Sequence, residues 1–111
     1  MYLYVGLWKA KPKWVELLQS ERTDFIEHIG PAMEGLVNPE VELLGFAINE
    51  AETFSRADYR YIAIWKMKDK NSIEEFEKAL EQSGWYRYFE QINGRGNIIT
   101  PEAAFADMIT I

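Results

Sequence analysis

The chain contains no cysteine, and its only histidine is His28. Disulfides, thiolate nucleophiles and cysteine-ligated metal are therefore excluded, and one imidazole among scattered carboxylates does not make the spacing of a zinc or iron site. Basic residues are also scarce: 12 Lys and Arg stand against 18 Asp and Glu, a net charge of -6. Since they form no stripe, nucleic acid is excluded as an expected partner. No apolar run approaches the ~20 residues that span a bilayer, so no membrane partner is expected. The opening MYLYVGLW has neither a basic leader nor a small-residue cleavage site, and it reads as the start of the fold with the cytoplasm as default compartment. Gly94 to Gly96, GRG, lacks the lysine and the flanking strand and helix of a phosphate loop.

What the 111 residues do have is rings on strands. Asp58 to Lys68, DYRYIAIWKMK, alternates so that Tyr59, Tyr61, Ala63, Trp65 and Met67 point one way and Ile62 and Ile64 the other. Tyr2 to Trp8 repeats this, with Tyr2, Tyr4, Gly6 and Trp8 opposite Leu3, Val5 and Leu7. Two apolar faces imply cover on both. The expectation is helices on the aliphatic face and a second subunit on the ring face.

A helix is predicted from about Lys13, with Trp14, Leu17, Leu18, Glu21, Phe25, His28, Ile29 and Ala32 on its buried stripe, interrupted at Gly30 and Pro31. Val41 to Glu50 reads as a strand with Leu44, Phe46 and Ile48 toward the helices and Leu43, Gly45 and Ala47 away. Ser72 and Glu75 form a capping box that starts a second helix, and Trp85 to Ile92 continues as a short helical piece. A last extended segment is placed at Ala104 to Ile111. The order is that of an α+β, ferredoxin-like βαββαβ single domain, with a four-stranded antiparallel sheet and both helices on one face. The merged rings form a patch of roughly 500 Å² or more, at or beyond the largest patch a typical monomer leaves wet, and a homodimer is the simplest cover.

In the order and length of its elements the chain resembles the dimeric α/β barrel superfamily, which includes antibiotic-biosynthesis monooxygenase-like, EthD-like and stress-responsive barrel proteins. Phe25 to Met33, FIEHIGPAM, is similar to the helix-end segment of EthD-like proteins. Trp65 with SIEEFEKALEQSGWYRYFEQIN is similar to the tryptophan strand and following helix of the monooxygenase-like members. The resemblance implies sheets pairing into a dimeric barrel. Some members degrade haem with a strand tryptophan and a second-helix histidine; Trp65 matches the first role and no residue fills the second, so no cofactor is implied. Others oxidise polycyclic phenols without a cofactor.

His28 is the candidate proton acceptor, with Glu21 two turns away as its companion, and Tyr4, Trp8, Tyr61, Trp65 and Arg56 are the candidate ligand-binding set. Each has a second reading: His28 as a hydrogen-bonded core or interface histidine, Glu21 as a solvated carboxylate, the rings as packed interface, Arg56 with Asp58 as a loop pair. The leading expectation is a homodimer that binds an apolar or aromatic small molecule, as a cofactor-free oxygenase or isomerase. The alternative is a non-catalytic structural or stress-response dimer with a filled interior.

Overall fold

The computed structural model describes residues 1–111. Strand β1 (Tyr2–Ala10) leads into a one-turn helix α1 (Pro12–Val15) and then α2 (Gln19–Glu34); β2 (Val41–Ile48), β3 (Tyr61–Met67), α3 (Lys70–Gln82), α4 (Trp85–Tyr88), β4 (Phe89–Asn97) and α5 (Pro101–Thr110) follow. The four strands form one antiparallel sheet in the order β2-β3-β1-β4. With α2 and α3 on one face, this is the ferredoxin-like α+β fold that the order of elements predicts.

The face assignment is the reverse of the expected one. Tyr4, Trp8, Ala63, Trp65 and Met67 are buried together with Ile73, Phe76 and Leu80 of α3 and Phe89, so the rings lie under the helices. Leu3 and Ile64 on the other face are more than a third exposed, and Ile92 and Leu44 about half. Alternation separates two faces without saying which is covered. The rings win the helices because α3 and α4 supply rings to meet them: Phe76 stands edge-on to Tyr4 at 5.5 Å and lies 4.7 Å from Trp65, and Trp85 is edge-on to Trp8 at 5.6 Å. The other face carries flat β-branched and leucine side chains, with Gly45, Gly94 and Gly96 where an added Cβ would meet nothing.

Four local features differ from the sequence reading. The first helix is broken at Leu17 and Leu18 and restarts with Leu18 as an extended N-cap. Arg22 donates from Nε to the Trp14 carbonyl (3.0 Å) and from Nη2 to the Val15 carbonyl (2.6 Å), tying off α1. Helix α2 then runs through Pro31 without interruption, and Asp69, which accepts the Ser72 N–H at 2.9 Å, caps α3 in place of Ser72. In β2 a bulge between Leu43 and Gly45 shifts the alternation, so Leu43 pairs with Trp65 and Phe46 with Ala63. Leu43 therefore joins Phe46 and Ile48 on the ring side, and Leu44 is the extra residue.

The C-terminal third differs most. The fourth strand is Phe89–Asn97, starting within the segment read as a short helical piece, and the predicted final strand is helix α5. Gln91, Asn93 and Arg95 hold β4 in register opposite Trp8, Gly6 and Tyr4. Pro101 at N1 and Thr100, whose hydroxyl accepts the Ala103 N–H at 3.1 Å, then start a helix in an alanine-rich segment.

Candidate functional site: an aromatic cavity beneath helix α2

Helix α3 seals its part of the sheet with Ile73, Phe76 and Leu80, at i, i+3 and i+7. Helix α2 does not: Ile29 is its only buried residue, and Ile26 stays half exposed. Between α2 and the sheet lies a cavity of about 530 Å³, within the range of small-molecule sites.

Its floor is made by absent side chains. Gly6 and Ala63 are directly opposed on the two central strands, and Gly6 faces Asn93 on its other side. A Cβ on Gly6 would lie 2.9 Å from Gln91 Nε2, so glycine lets that amide cross over β1. The walls are rings. Trp8 stacks on Tyr61 at 5.4 Å and meets Phe46 edge-on at 5.5 Å, while Trp85 stacks on Phe89 at 4.3 Å. Trp65 and Phe76 close the α3 side, and α2 supplies Ile29, Gly30 and Met33 as the roof. Trp14 lines it as well, so all four tryptophans of the chain border this one space.

Polar atoms are few and mostly engaged. Gln91 Oε1 accepts the Trp85 Nε1–H at 2.9 Å, and Nε2 donates to Asn93 Oδ1 at 2.8 Å. This fixes the amide at the rim, where its second N–H and remaining lone pairs can meet a ligand. Glu34, exposed at the end of α2, is the only ionisable carboxylate in the lining.

Three of the expected ligand-binding residues, Trp8, Tyr61 and Trp65, line the cavity. The cavity lies within one protomer, on the helix side of the sheet, and not between ring faces of two copies. Tyr4 does not line it: the residue is fully buried, and its hydroxyl donates to Glu77 Oε2 at 3.3 Å. Burial, and next the Glu77 charge, push the Tyr4 phenol well above the usual tyrosine range; the Arg95 salt bridge at 2.8 Å holds Glu77 in place. Arg56 is a loop clasp. Its guanidinium donates to the Glu50 carbonyl at 3.1 Å and to the Asn49 and Tyr59 carbonyls at 3.2 Å each.

The proposed acid and base residues lie elsewhere. His28 is exposed on α2 and outside the cavity lining. The break at Leu17 and Leu18 resets the helical phase, so the stripe counted from Trp14 misplaces it; Phe25, Ile29 and Met33 are the residues turned inward. Glu21 accepts the Leu18 N–H at 2.9 Å as an N3 capping carboxylate. With His28 outside, the lining holds neither imidazole nor thiolate, and nowhere do three His, Asp or Glu side chains gather for a metal. The donor set does not fit a histidine-held haem. Sequence reasoning missed Gly6, Trp14, Phe46, Trp85 and Gln91. The one available signal was Gly6, a gap in a row of rings.

Comparison places the chain in a class and then in a family. Chlorite dismutase from Candidatus Nitrospira defluvii, in complex with imidazole, superposes with a TM-score of 0.66 at 16% identity over 99% of this chain and 44% of that one. This chain thus spans less than half the length of the chlorite dismutase it matches. A dimeric ferredoxin-like protein of unknown function from Thermobifida fusca superposes with a TM-score of 0.58 at 6% identity, over 87% of this chain and 90% of that one. At such identities the likeness is one of fold. No curated protein matches the chain by sequence. All of residues 1–111 match the family of unknown function DUF6616, and the chain belongs to that family. No helix is long and apolar enough to cross a membrane.

Proposed function

We propose that this protein is a homodimer in which each subunit binds one apolar or aromatic small molecule in the cavity beneath α2, against Trp8, Tyr61, Trp65 and Trp85. One observation carries the reading: a space of about 530 Å³ bordered by four tryptophans lies between α2 and the sheet and opens to solvent beside the exposed Ile26, Val37 and Phe46. Its apolar lining is left in contact with water, and a flat apolar guest would replace that water with dispersion contacts. The lining suits ring systems, because a guest can stack on Trp8 or Trp85 and lay one polar group at the Gln91 rim.

Self-association is supported by the open aliphatic face of the sheet and by the dimeric likeness in the Thermobifida fusca protein. In this reading the two copies meet through Leu3, Val5, Leu7, Ile62 and Ile64, and their cavities lie on the outer sides of the joined sheets. His28 and Glu21, the residues expected to move a proton in an oxygenase or isomerase step, lie outside the lining, where the exposed Glu34 is the only carboxylate.

The test is titration of tryptophan fluorescence with a panel of phenols and quinones, on the natural chain and on Ala63→Leu. Saturable quenching that the substitution weakens is expected. Absence of saturable quenching by every compound, or quenching identical in both proteins, overturns the reading.

A further inference from the structure

Helix α5 has no partner in its own chain. Phe105, Met108, Ile109 and Ile111 are from three-fifths to fully exposed, and the helix contains no buried residue. Its projection shows in the dimensions: the radius of gyration is 16.1 Å, whereas a compact chain of this length has about 13 Å. The exposed residues are patterned. At 100° per residue Ala104, Phe105, Met108, Ile109 and Ile111 fall within one arc, with Ala103, Ala106, Asp107 and Thr110 on the other side and Glu102 at the edge beside Ile109. A helix of 10 residues is also too short to persist alone in water, where about 12–15 residues are marginal. A short helix with an exposed apolar arc gains most of its stability from packing that arc against a partner surface.

We propose that the cover is a second copy of this chain: α5 is an arm that reaches across the dimer and packs its Phe105, Met108 and Ile109 stripe on the partner subunit, at the margin of the joined sheets. This rests on the self-association reading above. Area argues for it. A face of four strands about 4.8 Å apart and about 8 residues long at about 3.3 Å per residue projects to about 500 Å². The arm, at about 1.5 Å per residue and about 10 Å across, adds roughly 150 Å². The sheet alone falls short of the ~800 Å² per partner of a standard stable interface, and the arm brings the total near it once corrugation is counted. Continuity argues the same way: Ile98 donates its N–H to the Met1 carbonyl at 2.9 Å, so the arm leaves from the end of the sheet whose open face it would extend. Charge argues against an anionic lipid surface as the occupant. Helix α5 carries no Lys or Arg, and its only charged residues are Glu102 and Asp107.

The experiment is sedimentation equilibrium of the full chain, of a chain ending at Ile99 and of Phe105→Ser/Met108→Ser, with near-ultraviolet circular dichroism showing that each is folded. The full chain is expected to be a dimer of twice 13.0 kDa. Truncation and the double substitution should each raise the dimer Kd on the order of 30-fold or more, the loss typical of removing an interface anchor. A tight full-chain dimer whose Kd neither variant changes overturns the arm and leaves self-association standing; a full chain that stays monomeric overturns both. Ile64→Lys, which places a charge on the sheet face, supplies a second measurement. In the resulting monomer the α5 amides should exchange without protection. Retained protection there, or co-sedimentation of the full chain with phosphatidylcholine/phosphatidylserine vesicles, overturns the arm in favour of a fold-back or a lipid contact.

Discussion

Gly6 and Ala63 face each other across β1 and β3, and between them they carry a single side-chain carbon where the next pairs on the same face, two positions away in register, are Trp8 opposite Tyr61 and Tyr4 opposite Trp65. The hollow beneath α2 is the direct result. Ala63→Leu should fill it, lowering affinity for aromatic probes about 10-fold or more while leaving thermal stability unchanged or up to ~2 kcal/mol higher, as cavity-filling substitutions do. Gly6→Ala acts differently. Its Cβ must shift the Gln91 amide, whose Oε1 accepts from Trp85, so it should cost up to about 1 kcal/mol, which urea unfolding would read alongside a change in indole emission.

Phe76 is the ring through which α3 grips both central strands, in contact with Tyr4 and Trp65. Phe76→Ala is expected to cost about 3–5 kcal/mol, a large share of the ~5–15 kcal/mol that holds a typical domain. The urea midpoint should fall accordingly. A shift under ~1 kcal/mol would show that the cluster repacks freely.

The two ends of the pH scale should be governed by different groups. Tyr4 has its pKa raised by burial and by Glu77, so its contribution to stability is complete below the ordinary tyrosine value of about 10 and is lost as pH climbs above it. Asp69 is held below the usual carboxylate range, first by the Ser72 backbone N–H and then by the Ser72 hydroxyl. Its contribution is complete above about 3.9 and is lost as pH falls through its lower folded value. Phenolate absorbance should show one tyrosine that ionises only with alkaline unfolding, and Tyr4→Phe should abolish that component. Asp69→Asn should flatten the acid limb of the stability curve.

Two glycines test opposite outcomes of the same change. Gly84 follows α3 with φ of 88°, and Gly84→Ala should destabilise by about 1–2 kcal/mol because a Cβ is strained in that left-handed region. Gly30 lies inside α2, where an added Cβ meets nothing within 4 Å. Gly30→Ala should stabilise by about 0.5–1 kcal/mol through helix propensity. Thermal unfolding of the two variants reads both.

The alternation in Tyr2–Trp8 and Tyr61–Met67 was enough to place the two central strands and, with the capped helix after Asp69, the ferredoxin-like topology. It was not enough to say which face the helices take, because both faces are apolar and the choice depends on Phe76, Trp85 and Phe89 arriving from elsewhere in the chain. Part of the site was legible for the same reason: Trp8, Tyr61 and Trp65 line the cavity, while Tyr4, on the same face, is walled off by Phe76. His28 was misplaced by a non-periodic event, the break at Leu17 and Leu18 that Arg22 stabilises from a turn away. The final helix was missed because alternation is faint in both β4 and α5, whereas Thr100 and Pro101, a cap and a first-turn proline, were the local signals that distinguish them.

Every indole in the chain borders the same hollow, and Trp8 and Trp85 sit only 5.6 Å apart, centre to centre. Excitation absorbed by either of that pair can hop to its neighbour before it is emitted, and no indole stands far from the space a guest would take. A single light-absorbing guest should therefore darken nearly the whole intrinsic emission of its subunit, giving this protein an unengineered optical signature of occupancy.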